Sequence, residues 1–350
     1  MKKSLLALAV LGAFAGVASA QSSVNLYGTV DLSAKYVKND GQQRRLSLAQ
    51  DGLNSSQLGF RGIEDLGGGL KANFTLIAGV NADTGNVSTK FFNRRATVSL
   101  LGGFGEVRLG RDYTPTFWNN TVFDAFGTNG LGNSLNVQQF AATTNVRADN
   151  TIGYFLPTGI GGVYGQVMAA ASEGGSTATA TGINGGRYLG GRVGFAAGPF
   201  DVAVAYGTQR IDAALANDYK TANIGASFNI GAFKLMGYYD RDTLGNRKEN
   251  RYSLSGVASF GQSEIHLGYS GSKVKGLTTS ATVANNKVNQ LALGYVYNLS
   301  KRTAVYSTVS RLDNGGTTTS GALNSVGGGN GNPTRGGNST GAEFGLRHFF

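Results

Sequence analysis

EVRLGR (106–111), RDYTPTFWNNTVFDAFGTNGLGNSLNVQQFAATTNVR (111–147) and NTIGYFLP (150–157) follow one another, and the contrast between them decides the fold. The flanking runs alternate apolar and polar residues, which is the strand signal. The middle segment keeps neither a two-residue nor a 3.6-residue period. It nevertheless holds the only Trp of the chain, Trp118, with Phe117, Phe123, Phe126 and Phe140. Structureless loops this long are uncommon in compact domains and are usually functional. So much apolar surface does not suit a loop lying wholly in water. The segment is therefore expected to fold back into the lumen of a membrane β-barrel and narrow it.

Working outward, the same alternation recurs from Val24 to the C-terminus. VNLYGTVDLSAKY (24–36) sets Val24, Leu26, Val30 and Leu32 on one face and Asn25, Thr29, Asp31 and Lys35 on the other. GLKANFTLIA (69–78), FDVAVAY (200–206), SEIHLGY (263–269) and NQLALGYVY (289–297) repeat it. Seven brief turns, at 66–69, 102–105, 157–162, 197–200, 229–233, 260–264 and 298–302, alternate with eight longer connections. These lie at 38–54, 81–90, 112–146, 173–186, 211–217, 242–248, 274–287 and 313–338. Fifteen connections imply sixteen strands. An all-β, 16-stranded antiparallel transmembrane barrel, with short turns at one end and long loops at the other, is the outer-membrane pattern. A soluble β-sandwich would also alternate, but the rhythm of short and long connections is less expected of it.

The N-terminus reads as a cleaved export signal: Lys2-Lys3, an apolar core from Leu5 to Val17, and Ala18-Ser19-Ala20. Residues 1–20 are then the signal peptide and 21–350 a single barrel domain. Without Lys2 and Lys3 the mature chain carries 29 basic and 20 acidic residues, a net charge of +9. There is no cysteine, and His266 and His348 are the only histidines. Disulfide frameworks and thiolate metal sites are excluded, histidine-based sites nearly so, and no cofactor is expected. No G-x-S-x-G elbow or nucleic-acid module is visible. An outer-membrane enzyme or adhesin is therefore the weaker alternative to a channel.

Alternation also sorts the charges. Ala96, Val98 and Leu100 facing lipid send Arg95, Thr97 and Ser99 inward, and Leu58 and Phe60 do the same for Gln57 and Arg61. Arg147 is placed inward with Asp149, Thr151 and Gly153, opposite Ile152, Tyr154 and Leu156. Arg94 falls on the lipid side, at the membrane–water boundary or a subunit contact. Arginine at mid-bilayer on the lipid face costs about 2–4 kcal/mol, so the inward assignments are physically favoured. Arg61, Arg95, Arg147 and Gln57 are the expected constriction residues, with Asp112 and Asp124 as acids of the loop. Arg108, Arg192, Arg251, Asp31 and Glu106 are further lumen candidates.

VNLYGTVD (24–31), QLGFRGIEDLGGGLKANF (57–74), RRATVSLLGGFGEVRLGRDYTP (94–115) and GLRHFF (345–350) together resemble the general-diffusion porins of Gram-negative bacteria. The similarity is greatest to the β-proteobacterial branch with anion-preferring members. It implies passive diffusion of small hydrophilic solutes and anions, assembly as a homotrimer in outer-membrane lipid and lipopolysaccharide, and a third external loop, here 112–146, inside each pore. It also implies that the terminal Phe350 is read as an assembly signal by the outer-membrane insertion machinery. Members commonly carry Arg where this chain has Gln57, which weakens the basic cluster there. A substrate-selective porin for phosphate, organic acids or sugars is the second transport reading.

Overall fold

Every alternating run is a strand. The computed structural model describes residues 23–87, 90–139, 146–171, 187–212, 217–276, 287–315, 325–326, 333 and 336–350; the expected signal peptide and Phe140 lie outside them. The strands are β1 (Ser23–Asn39), β2 (Arg45–Gln50), β3 (Gln57–Gly67), β4 (Leu70–Asn81), β5 (Asn86–Val87), β6 (Arg95–Gly102), β7 (Gly105–Tyr113), β8 (Arg147–Phe155) and β9 (Val163–Ala170). They continue as β10 (Tyr188–Ala197), β11 (Phe200–Asp212), β12 (Asn217–Ile230), β13 (Phe233–Leu244), β14 (Arg247–Phe260), β15 (Ser263–Lys275), β16 (Lys287–Asn298), β17 (Thr303–Gly315) and β18 (Asn338–Phe349). All pairings are antiparallel, and β1 pairs with β18 from Thr29↔Phe349 to Asn39↔Ser339, which closes the sheet.

Of these eighteen segments, β2 and β3 are two parts of one barrel strand, both pairing with β1. β5 is a two-residue hairpin partner of β4. Sixteen wall strands remain, the number expected. Closure leaves no open edge, as backbone crossing a bilayer requires. The brief turns fall where the sequence places them. Between β12 and β13 only Gly231-Ala232 intervene, and Gly231 supplies the positive φ (+57°) of a tight hairpin. The expected loop at 242–248 is instead a tight turn, since β13 runs to Leu244 and β14 starts at Arg247. Its polar residues belong to strands whose two faces are both polar near the rim.

The chain is apolar outside and polar inside. Leu254, Ile224 and Leu291 are 67%, 48% and 54% exposed, whereas the intervening Ser253, Asn223 and Gln290 are buried. A one-residue slip in any strand would exchange the two sets. The segment after β7 is less featureless than its sequence suggests. Pro115–Val122 form a helix, α1, with Pro at its first turn, and Ser134–Val137 a 3-10 turn. Eight residues are too few for a helical period to show, while proline suits a helix start.

This segment packs against the polar faces of β11–β16 and β18. Asn119 Nδ2 donates to Ala203 O (3.1 Å) and Asn223 Oδ1 (2.9 Å), and Asn120 Nδ2 to Asp240 Oδ2 (3.1 Å). The Ala125 N–H donates to Ser255 Oγ (3.0 Å), Leu131 N–H to Glu343 Oε1 (3.1 Å) and Gln139 N–H to Glu249 Oε1 (2.9 Å). Phe123 and Phe126 are buried with Ala203, Met236, Tyr238 and Ala292. Gly225 makes room for this: a Cβ there would lie 2.0 Å from the Phe123 ring.

Candidate functional site

A cavity of about 890 Å3 lies between the segment after β7 and the barrel wall. Arg94, Arg95, Tyr113, Phe117, Trp118 and Arg147 line one side; Arg347, Phe349, Glu264, His266 and Asn298 also line it, as does Gln57.

The first group is built around the end of β7. Tyr113 OH accepts from Arg147 Nη2 (2.8 Å) and Arg94 Nη2 (3.2 Å). The Arg147 guanidinium lies 4.3 Å from the Tyr113 ring centroid and that of Arg95 5.5 Å. The ring also stacks on Phe117 (5.7 Å, 12°) and meets Trp118 at 5.3 Å. Three guanidinium groups are thus gathered on one aromatic ring, and cation–π attraction offsets part of their mutual repulsion. Asp112, buried, holds Arg95 (2.7 Å) and Arg108 (2.6 Å), and Glu106 holds Arg108 (2.8 Å). Within this group four arginines stand against Asp112 and Glu106, with Asp51 near enough to Arg94 to interact with it.

Arg95, Arg147 and Gln57, read from the sequence as inward, line the cavity. Arg147 arrives there by a different route from simple alternation. Asn150 has φ +53° and the β7–β8 register shifts between Gly110 and Asp112, so Ala148, not Asp149, is buried with Met168, Ala170 and Tyr188. Asp149 bonds Arg111 (2.6 Å) and Lys90 instead. Arg94 is a correction. It precedes the first residue of β6, where the strand alternation does not yet apply, and it turns to Tyr113 rather than to lipid.

Arg61 does not join the group. Its guanidinium lies 5.4 Å over the Tyr27 ring, four residues further along β3 than Gln57 toward the 66–69 turn, or about 13 Å at strand rise. Alternation fixes a residue's face but not its height. Arg192 bonds Asn119 Oδ1 (2.5 Å) and Tyr164 OH (3.2 Å), which supports α1. Arg251 is fully buried between Asp242 (2.6 Å), Asp240 (3.0 Å) and Glu249 (4.0 Å).

The remaining acids serve the backbone. The Asp124 carboxylate accepts from Phe126 N (3.0 Å), Thr128 N (3.2 Å), Ser134 N (3.2 Å) and Ser134 Oγ (2.8 Å), tying the loop to itself. Burial raises its pKa, and those donors offset part of the rise. Asp31 accepts from Leu53 N (2.9 Å), Asn54 N (2.6 Å) and Tyr306 OH (2.5 Å), holding 51–56 inward between β2 and β3.

Sequence reasoning missed Tyr113, Trp118 and Arg347 as cavity residues. Arg347 was within reach, since the outward Phe344, Leu346, His348 and Phe350 leave it inward. It donates to Asn54 Oδ1 (3.2 Å). Among the described residues, Arg94, Arg147 and Arg347 have no carboxylate oxygen within 4.0 Å, unlike Arg95, Arg108 and Arg251.

A closed antiparallel barrel with an apolar outer surface and a polar interior is an outer-membrane channel barrel. A family profile described as Gram-negative porin matches residues 7–317. Outer membrane porin protein 32 of Delftia acidovorans is 40% identical over 363 residues, spanning 100% of both chains. An outer membrane porin protein of Bordetella pertussis is 28% identical, over 88% of this chain and 93% of that one. Among solved structures, an anion-selective porin from Comamonas acidovorans superimposes with a TM-score of 0.84 at 37% identity, covering 94% of this chain and 100% of that one. The chain belongs to the Gram-negative porin family. It is an outer-membrane porin, forming a water-filled channel for passive diffusion of small hydrophilic solutes and ions.

Proposed function

We propose that the channel prefers anions, that the 112–146 loop folds into the pore and narrows it, and that Arg94 and Arg147 set the sign of selectivity there, Arg95 being paired with Asp112. The observation that carries this is the set of arginines on the cavity that lack a carboxylate partner, gathered at Tyr113. Selectivity for anions in the Comamonas acidovorans porin supports the same sign. The mechanism is a screened field: uncompensated guanidinium groups lower the energy of a passing anion and raise that of a cation, without a tight site. Arg347 adds to the field across the cavity, and Arg61 acts only near the 66–69 end. Trp118 and Phe117 beside the guanidinium groups also favour organic acids with an apolar body among the permeant anions.

Assembly as a homotrimer, cleavage after Ala20, and recognition of Phe350 by the insertion machinery complete the reading. Planar-bilayer recording of the reversal potential in a salt gradient tests it. A cation-selective reversal potential overturns the anion preference, and conductance that saturates at low organic-acid concentration favours the substrate-selective reading.

A further inference from the structure

β2 and β3 are one wall strand interrupted, and register measures the interruption. Gln50 pairs with Leu32 and Gln57 with Thr29, so seven steps on this strand oppose three on β1. Four residues are therefore extra. An even number leaves the alternation in phase, so Leu48 before the break and Phe60 after it keep the same parity. The ladder resumes at once on both sides. Asp51 N–H donates to Asp31 O (3.3 Å), and Ser56 O accepts from Val80 N–H (3.1 Å). Only 52–55 leave the wall, and Leu53, Asn54 and Ser55 line the cavity.

The excursion is held on every side. The fully buried Asp31 carboxylate accepts from three successive N–H groups, of Gly52 (3.3 Å), Leu53 (2.9 Å) and Asn54 (2.6 Å). Asp51 Oδ1 closes the base by accepting from Ser56 N–H (2.6 Å), with Asp51 itself at φ +63°. Ser56 Oγ donates to Asp31 O (3.1 Å) and accepts from Asp31 N–H (3.0 Å), which satisfies backbone groups beside the break. Leu53 packs on Val296, Ala304 and Tyr306.

The excursion also meets the segment after β7. Ser55 Oγ donates to Asn129 Oδ1 (2.8 Å), and a Cβ on Gly130 would lie 2.1 Å from Gly52 O. Gly52 has no room for a Cβ either, with the Tyr306 hydroxyl 2.2 Å from where it would stand. Two glycines thus let the loop rest directly on the insertion in the wall. Residues 52–55 are Gly, Leu, Asn and Ser, so this contact brings no charge to the cavity. We propose that 52–55 form a second constriction element, a neutral jaw that Asp31 positions against the 129–130 part of the loop. Two inward segments then share the size limit of the pore, whereas the sign of its selectivity belongs to the unpaired arginines. This rests on the cavity being the conducting path; because it concerns size, its readouts are separate from those of the anion preference.

Deleting Gly52–Ser55 joins Asp51 to Ser56 in register, and adding Asp31→Asn removes the carboxylate that the excursion covers. The four residues occupy roughly 400 Å3 at protein packing density, against a cavity of about 890 Å3. Single-channel conductance is therefore expected to rise about 1.5-fold, with larger neutral polymers admitted and the sign of the reversal potential unchanged. Asn54→Cys gives a second test, since the chain has no cysteine of its own. N-ethylmaleimide should lower the conductance of N54C in a step and leave the wild type unaffected. A folded deletion variant with wild-type conductance and polymer limit overturns the proposal. Whether or not the deletion folds, so does an N54C channel that is labelled by intact mass and conducts as before. A thiol that stays unlabelled overturns it as well, because Asn54 then does not face the pore. Noisier current at an unchanged polymer limit also overturns it, since the excursion is then only a prop for the loop.

Discussion

Replacing Arg94 and Arg147 together by glutamine removes two charges from the cavity while keeping side chains of similar length. The cavity of about 890 Å3 corresponds to a sphere of radius about 6 Å, so a central permeant ion lies ~7 Å from a wall charge. At that distance in water one charge contributes about 0.6 kcal/mol, and salt at 0.1 M leaves about half. Two charges, each acting with opposite sign on anion and cation, then account for ~1.2 kcal/mol of discrimination. The anion-to-cation permeability ratio of R94Q/R147Q is expected to fall about eightfold at 0.1 M salt. At 1 M the Debye length shrinks to ~3 Å and the expected difference from wild type drops to about 1.5-fold. Reversal potentials across an asymmetric bilayer, recorded at both ionic strengths, give the ratio directly. An unchanged ratio at 0.1 M refutes the assignment of the field to these residues. A loss equally large at 1 M refutes screening and requires direct ligation of the ion.

Four other outcomes are expected. Arg251→Met leaves Asp240, Asp242 and Glu249 buried without their cation, which costs about 3–5 kcal/mol; a lowered thermal midpoint in detergent, with noisier single-channel current as the loop loosens, checks it. Gly225→Ala drives a Cβ into the Phe123 ring and should raise conductance or lower stability, and adding Phe123→Leu should restore both measures. Deleting Phe350 removes the mutual backbone bonds with Gly28 (3.1 Å each) and the ring over that glycine, so yield of assembled barrel should fall while selectivity of the surviving channels stays. Intact mass of the exported protein should correspond to a chain beginning at Gln21; retention of the first twenty residues would rule out the cleavage site.

The wall was legible because a barrel in lipid imposes one rule on every strand, and each strand repeats it. Sixteen strands and the seven brief turns follow from alternation and punctuation alone. The 115–122 helix was not legible, because its residues are chosen to fit Ala203, Asn223 and Asp240 on distant strands, and such fitting leaves no local period. The arginines were half legible. Period two gives the face, and Arg95 and Arg108 meet at Asp112. It gives no height, so Arg61 was grouped with residues about 13 Å away along the strand. It also fails where strands begin or bulge, at Arg94 before β6 and at Asn150 within β8.

Arginine does two jobs in this interior, and solvation decides which. Arg251 is dry, and a dry guanidinium is tolerable only with carboxylates around it; in return two of its acids, Asp240 and Glu249, present acceptors that grip Asn120 and the Gln139 backbone on the loop. Arg192 similarly grips Asn119. Arg147 and Arg94 border the open cavity without a carboxylate within 4.0 Å, so their field remains available to a passing ion. Pairing them as tightly as Arg251 would stabilise the loop little and cancel the field. Leaving Arg251 unpaired would cost several kcal/mol and release the loop. The same residue type therefore anchors the segment after β7 on one side and charges the cavity on the other.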